Sequence, residues 1–231
     1  MSDSGLGRRF AAEAIGTALL LVAVVGSGIM AERLSGGNIA LALLANAIAT
    51  GGALIALILT FGPISGAHFN PVVTAVLARR DGGPARALLL YVAAQVGGAV
   101  AGVWIAHAMF GAPLFQLSRH VRATHGEWLG EFVATFGLVG LILSCSRHTP
   151  KAIPFAVAAY ITGAYWFTSS TSFANPAVAL ARAFTDSFAG IAIAGVPAFI
   201  AAEILGAATA MAVFHWLLQP PDEARQHSVE P

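Results

Sequence analysis

Two short stretches carry the residues best suited to act on a passing solute: Phe69-Asn70-Pro71-Val72-Val73 and Ala174-Asn175-Pro176-Ala177-Val178. In each, Asn stands where a helix N-cap belongs and Pro at the first helical position, where its missing N–H costs nothing. Both stretches therefore start helices. Each offers a side-chain amide donor beside a helix N-terminus that carries about half a positive elementary charge. One Asn-Pro pair alone reads equally well as a turn; two copies, each after a loop rich in Gly, Ser and Thr, argue for paired half-helices with a shared task. Two positive ends aimed at one point repel cations, and a molecule that receives N–H donors from both sides relays a proton poorly.

The other polar groups assemble no catalytic set. No Ser/His/Asp arrangement, phosphate loop or metal cluster can be built from the sequence, and the seven His are scattered. The chain is therefore not read as an enzyme, and no metal is expected. A net charge of +1 gives nucleic acid no footprint. Cys145 is the single cysteine; it excludes an internal disulfide and reads as a small residue near a helix end.

What positions the Asn-Pro pairs follows from composition. Hydrophobic residues make up 57% of the chain and charged ones 10%, with mean hydropathy +0.77. That is more apolar surface than a water-soluble domain can hide, so the lipid bilayer is the partner. Apolar segments at 10–32, 39–61, 87–110, 128–145, 152–169 and 188–218 suit a hydrocarbon core that needs roughly 20 residues per helix. The first follows Arg8 and Arg9 but contains Glu13 and lacks a clear cleavage site, so it reads as a retained helix. Segments 62–80 and 170–186 hold the Asn-Pro pairs and are too interrupted to span. They read as re-entrant half-helices of about ten residues, roughly 15 Å each, meeting at mid-membrane. Non-helical backbone at that depth must line a wet cavity, so Gly66, Ala67 and His68, with Thr171, Ser172 and Phe173, are expected to offer carbonyls to a pore. His68 reads equally as a packed loop histidine and as a ring that touches solute.

The chain repeats itself. Glu13-Ala-Ile-Gly-Thr17 resembles Glu131-Phe-Val-Ala-Thr135, and Ala94-Gln95-Val-Gly-Gly98 loosely matches Ala202-Glu203-Ile-Leu-Gly206. The halves run about 8–110 and 125–218 within one channel domain over 1–218. Three spans per half invert the second half, and such repeats place the working site where the halves meet. The side of the termini carries eight Lys and Arg against four on the other, which places both termini in the cytoplasm. Residues 219–231, with Pro220 and Pro221, read as a disordered tail.

At these residues the sequence resembles the aquaporin and aquaglyceroporin superfamily over roughly 10–218, above all bacterial aquaglyceroporin-like channels with an atypical filter. The resemblance implies an all-α membrane protein of six transmembrane helices and two half-helices in an inverted repeat. It also implies passive conduction, no cofactor, a homotetramer with one pore per subunit, and a place in the inner membrane. Glu13 and Glu131 are implied to brace the re-entrant loops, with Gln95 alike; Glu203, its repeat partner, takes the same task or titrates. Val72 stands where the family usually has Ala, adding methyl groups where the half-helices touch. The implied selectivity filter is Thr50, Gly163, Ser172 and Val178; Val178 stands where Arg is usual. Four small side chains make the constriction wide and leave it without a fixed cation. Arg182, four residues on, either guards the outer vestibule in place of that Arg, or snorkels to head groups, or pairs with Asp186.

The leading reading is a passive channel for small uncharged solutes: glycerol-like polyols, or neutral metalloids such as arsenous acid, with water. Some bacterial relatives with unusual filters are associated with arsenic handling. The alternatives are a water-selective pore, a secondary transporter, for which Glu203 is the one surprising ionisable group, and a junctional scaffold, for which the outer loops are short and plain.

Overall fold

The computed structural model of the protein describes residues 3–219; most of the expected tail lies outside them. Its α-helices are α1 (Asp3–Leu34), α2 (Ile39–Ser65), α3 (Pro71–Asp81), α4 (Ala85–Phe110), α5 (His125–His148), α6 (Ile153–Phe167), α7 (Pro176–Ala181) and α8 (Val196–Leu217). Five of them, α1, α2, α4, α5 and α8, are long and apolar enough to cross a membrane. The sixth span is α6: its 15 residues follow a 3₁₀ turn, Pro150–Ala152, and together they reach roughly 28 Å. The two half-helices are α3 and α7. The second is shorter than the expected ten residues, because a 3₁₀ turn, Arg182–Phe184, replaces its last part.

The two halves pack alike. In the first, α1 lies chiefly against α4; in the second, α5 lies against α8. Without a hydrophobic force between helices in lipid, close backbone approach through small residues supplies the packing. Gly98 and Gly102 of α4 face the backbone oxygens of Ala14 and Ala18, and Gly206 of α8 faces that of Phe132. These pairs hold the helix that carries Glu13 against Gln95, and the helix that carries Glu131 against Glu203.

One expected boundary is corrected. The last span starts at Val196 and not at 188. Residues 185–192 are irregular because their backbone is recruited elsewhere: Arg122 Nε donates to the Gly190 carbonyl at 3.0 Å, Ile191 N–H donates to the Arg182 carbonyl at 3.2 Å, and Ala192 N–H to that of His120 at 2.7 Å. The same segment contains Asp186, whose carboxylate accepts from the Arg119 backbone N–H at 2.8 Å and from its guanidinium at 2.7 Å. Those two bonds hold the Asp186 carboxyl below the usual range. The pairing therefore stabilises this face at neutral pH and is lost as pH falls through that lowered value.

Gly102→Val places a branched side chain against the Ala18 carbonyl and should abolish a monodisperse folded peak on size-exclusion in detergent. Gly97→Ala, with nothing within 4 Å of a new Cβ, should elute as the wild type.

Candidate functional site

Both re-entrant loops are held open by a carboxylate buried to 0% exposure, Glu13 in the first half and Glu131 in the second. Glu13 Oε1 accepts from His68 N–H at 3.0 Å and Oε2 from Phe69 N–H at 2.7 Å. Glu131 Oε1 accepts from Phe173 N–H at 2.8 Å and Oε2 from Ala174 N–H at 2.6 Å. The serines that open the loops repeat as well: Ser65 Oγ accepts from Ala67 N–H, and Ser170 Oγ from Ser172 N–H. These bonds maintain an uncommon backbone. Ala67 and Phe69 in one loop, and Thr171, Ser172 and Ala174 in the other, have φ between 48° and 64°, which costs on the order of 1–3 kcal/mol each. N–H donors on a carboxylate contribute roughly 1.5–3 kcal/mol each, enough to offset that cost.

Gln95 and Glu203 complete the two braces differently. Gln95 Nε2 donates to Glu13 Oε2 at 2.8 Å and to Thr74 Oγ1 at 2.9 Å. Glu203 Oε1 accepts from the Asn175 backbone N–H at 2.9 Å. The glutamate thus reaches the second motif itself.

The half-helices are clasped at their N-termini. Asn70 Oδ1 accepts from Val72 N–H at 3.1 Å and caps α3, while its Nδ2 donates to the Ala174 carbonyl of the other half at 2.7 Å. Asn175 Oδ1 accepts from Ala177 N–H at 3.1 Å and caps α7, while its Nδ2 donates to the Phe69 carbonyl at 2.8 Å. Each amide has two N–H groups, so one remains to face the lumen. Val72 does not meet its counterpart here, contrary to expectation. Its side chain is buried with Val76, Val139 and Ala207 on the α5 and α8 side, away from the clasp.

A cavity of about 270 Å³ runs past both Asn residues, from Arg80 and Asp81 at the end of α3 to Arg182 beyond α7. Its wall is amphipathic. It is lined by residues of the re-entrant loops, Gly66, Ala67, His68, Ser172 and Phe173, and by apolar residues at helical spacing: Leu20 and Val24, Leu54 and Ile58, Leu138 and Ile142, Val157 and Ile161. His68 is among the lining residues, and its ring packs as a loop histidine, Nδ1 3.2 Å from Thr74 Oγ1 and the ring 5.3 Å from that of Tyr91.

Of the four filter positions, Thr50, Ser172 and Val178 line the cavity; Gly163 does not, and Thr171 is absent from the wall as well. Tyr165 occupies the α6 side instead, 3% exposed, its hydroxyl 3.2 Å from Thr50 Oγ1. The wall at this level therefore includes an aromatic ring beside Thr50, Ser172 and Val178. The signal was present: Val157, Ile161 and Tyr165 recur every fourth residue on one helix face. Arg182 neither snorkels nor pairs with Asp186. It is 2% exposed and lies over the Phe173 ring, 3.4 Å from its centroid, and Asp186 is taken by Arg119.

Comparison with known proteins adds three findings. The model of the family described as major intrinsic protein matches residues 1–164. The aquaglyceroporin AqpS of Rhizobium meliloti is 54% identical over 95% of this chain and 94% of its own; aquaporin Z of Bradyrhizobium diazoefficiens is 28% identical over 93% and 95%. The X-ray structure of the aquaglyceroporin from Plasmodium falciparum superposes with a TM-score of 0.68 at 20% identity, covering 90% of this chain and 95% of that one, which establishes the fold.

Glu203→Gln keeps an acceptor for the Asn175 N–H and should leave thermal stability and flux near wild type, as Gln95 serves the other half. Glu203→Ala leaves that N–H buried and unpaired and should cost about 1–3 kcal/mol, read as a lowered Tm together with reduced flux. Equal behaviour of Ala and wild type would remove Glu203 from the brace.

Proposed function

The chain belongs to the major intrinsic protein family and is a passive membrane channel for small neutral solutes, and from that premise we propose that it conducts glycerol-like polyols and neutral metalloids such as arsenous acid, together with water. The observation that carries the proposal is the mixed wall. A polyol presents carbon on one side and hydroxyls on the other, which suits a lining that combines apolar stripes with re-entrant loop residues and the two Asn amides. Arsenous acid is likewise small, uncharged and hydroxylated. The 54% identical relative carries the name aquaglyceroporin, in keeping with this solute class. Val178 leaves an apolar surface at the filter where a charged side chain would favour water.

In this reading Thr50, Ser172 and Val178 form the filter with Tyr165, and the free amide N–H of Asn70 and of Asn175 orients solute oxygens at mid-membrane. The protein resides in the inner membrane with both termini cytoplasmic and works as a homotetramer with one pore per subunit. A water-selective pore is the second reading, favoured by one observation: Tyr165, hydrogen-bonded to Thr50, adds an aromatic ring to the wall at this level.

Stopped-flow light scattering on proteoliposomes separates the two. The polyol reading predicts uptake of glycerol and arsenous acid well above empty liposomes, falling roughly tenfold in Val178→Arg, the effect of about 1.4 kcal/mol on a barrier. Water flux without uptake of either solute would establish the water-selective pore.

A further inference from the structure

The cation missing at position 178 is supplied from another residue. We propose that Arg182 is a specificity-determining residue whose guanidinium, laid back along α7 onto the Phe173 ring, serves as the fixed cation and hydrogen-bond donor of the constriction. The proposal rests on the preceding reading of the cavity as the conduction path. Side chains on a helix tilt toward its N-terminus, and four residues of rise come to roughly 6 Å, about the reach of an extended arginine. The guanidinium of residue 182 is thereby brought toward the level of Val178, and both residues line the cavity.

Two contacts fix it there. Arg182 Nε donates to the Ala189 carbonyl, and the guanidinium carbon stands 3.4 Å from the Phe173 centroid, the stacked cation–π arrangement that arginine favours. Neither contact uses the two terminal Nη groups, and no described residue accepts from them. Donors without a protein partner need another acceptor, and Arg182 lines the cavity. A solute or water oxygen is the acceptor the site is built for.

Arg122 gives the contrast. It lies over the same ring at 5.3 Å, but its Nε and Nη1 donate to the Gly190 and Ser170 carbonyls, so it ties loop segments together. Two arginines thus share Phe173, one spent on backbone and one left for the pore. With Tyr165 and Thr50 across the cavity, the constriction presents one charged, one apolar and one hydroxylated side. The ligand class follows: uncharged molecules with several hydroxyl oxygens, with cations turned away by the guanidinium.

The test uses the full chain in proteoliposomes and reads proton and sodium leak with internal dyes, alongside osmotic water flux. Arg182→Gln keeps a donor for the Ala189 carbonyl but carries no charge, and Arg182→Lys keeps the charge. Expected are a leak raised about tenfold or more in Arg182→Gln with water flux retained, a leak near wild type in Arg182→Lys, and recovery of tightness in the Val178→Arg, Arg182→Gln double variant. A folded Arg182→Gln as tight as wild type overturns the proposal, as does equal leak in the Gln and Lys variants. Failure of Arg182→Gln to fold, with Arg182→Lys folded and leaky, also overturns it, because the residue would then be structural. Glycerol uptake by the wild type is read separately and belongs to the solute assignment; the leak comparison decides the role of Arg182 whichever solute passes.

Discussion

The reciprocal clasp between the two Asn side chains is the interaction on which the rest depends. Each amide spends its oxygen on the first turn of its own half-helix and one N–H on a carbonyl of the other half. Two short helices that could not stand alone are thereby locked N-terminus to N-terminus. The carbonyls they seize belong to Phe69 and Ala174, both with positive φ, so the clasp requires loops in a conformation that non-glycine residues disfavour. That conformation in turn requires carboxylates at Glu13 and Glu131. Carboxylates at this depth are costly unless paired, and for Glu13 and Glu131 that pairing requires the glycine-mediated approach of α1 to α4 and of α5 to α8. Core packing, buried charge and pore geometry are one chain of necessity.

The consequence for transport is a passage formed before any solute arrives. The loops are pinned by the two carboxylates and not by a ligand, and apolar stripes make up much of the rest of the cavity wall. Charged species find two converging helix N-termini, while Glu13 and Glu131 spend both oxygens on loop backbone and Glu203 spends Oε1 on the Asn175 N–H, its Oε2 having no partner among the described residues. Among the described residues, three or more His, Cys, Asp or Glu nowhere gather in a way that could hold a metal ion.

Much of this was legible in the residues themselves. Asn70-Pro71 and Asn175-Pro176 announced half-helices because N-cap and N1 preferences are local, whereas the bracing role of Glu13 and Glu131 was implied by the family resemblance and not by the residues alone. What escaped depends on neighbours distant in sequence. Gly163 was assigned to the filter by counting from a relative's pattern, whereas helix rotation decides which residue faces the lumen, and it brings Tyr165 there. The apolar run 188–218 reads as one span, but its first residues give their backbone to Arg122 and to residues 120 and 182. The surroundings of Arg182 hinge on a partner, Arg119, that removes Asp186 from competition. Val72 looked like a spacer between half-helices, and only the neighbouring α5 and α8 reveal that its methyl groups point elsewhere.

The most direct test of a preformed, clasped passage is the concentration dependence of glycerol uptake by wild-type proteoliposomes, measured as initial rate against gradient. A fixed pore predicts a rate that rises in proportion to the gradient without saturating, equal in both directions and unaffected by a pH or sodium gradient. A rate that saturates at modest glycerol concentration, or that follows an imposed ion gradient, would mean that the halves rock about the bound solute and would contradict the account.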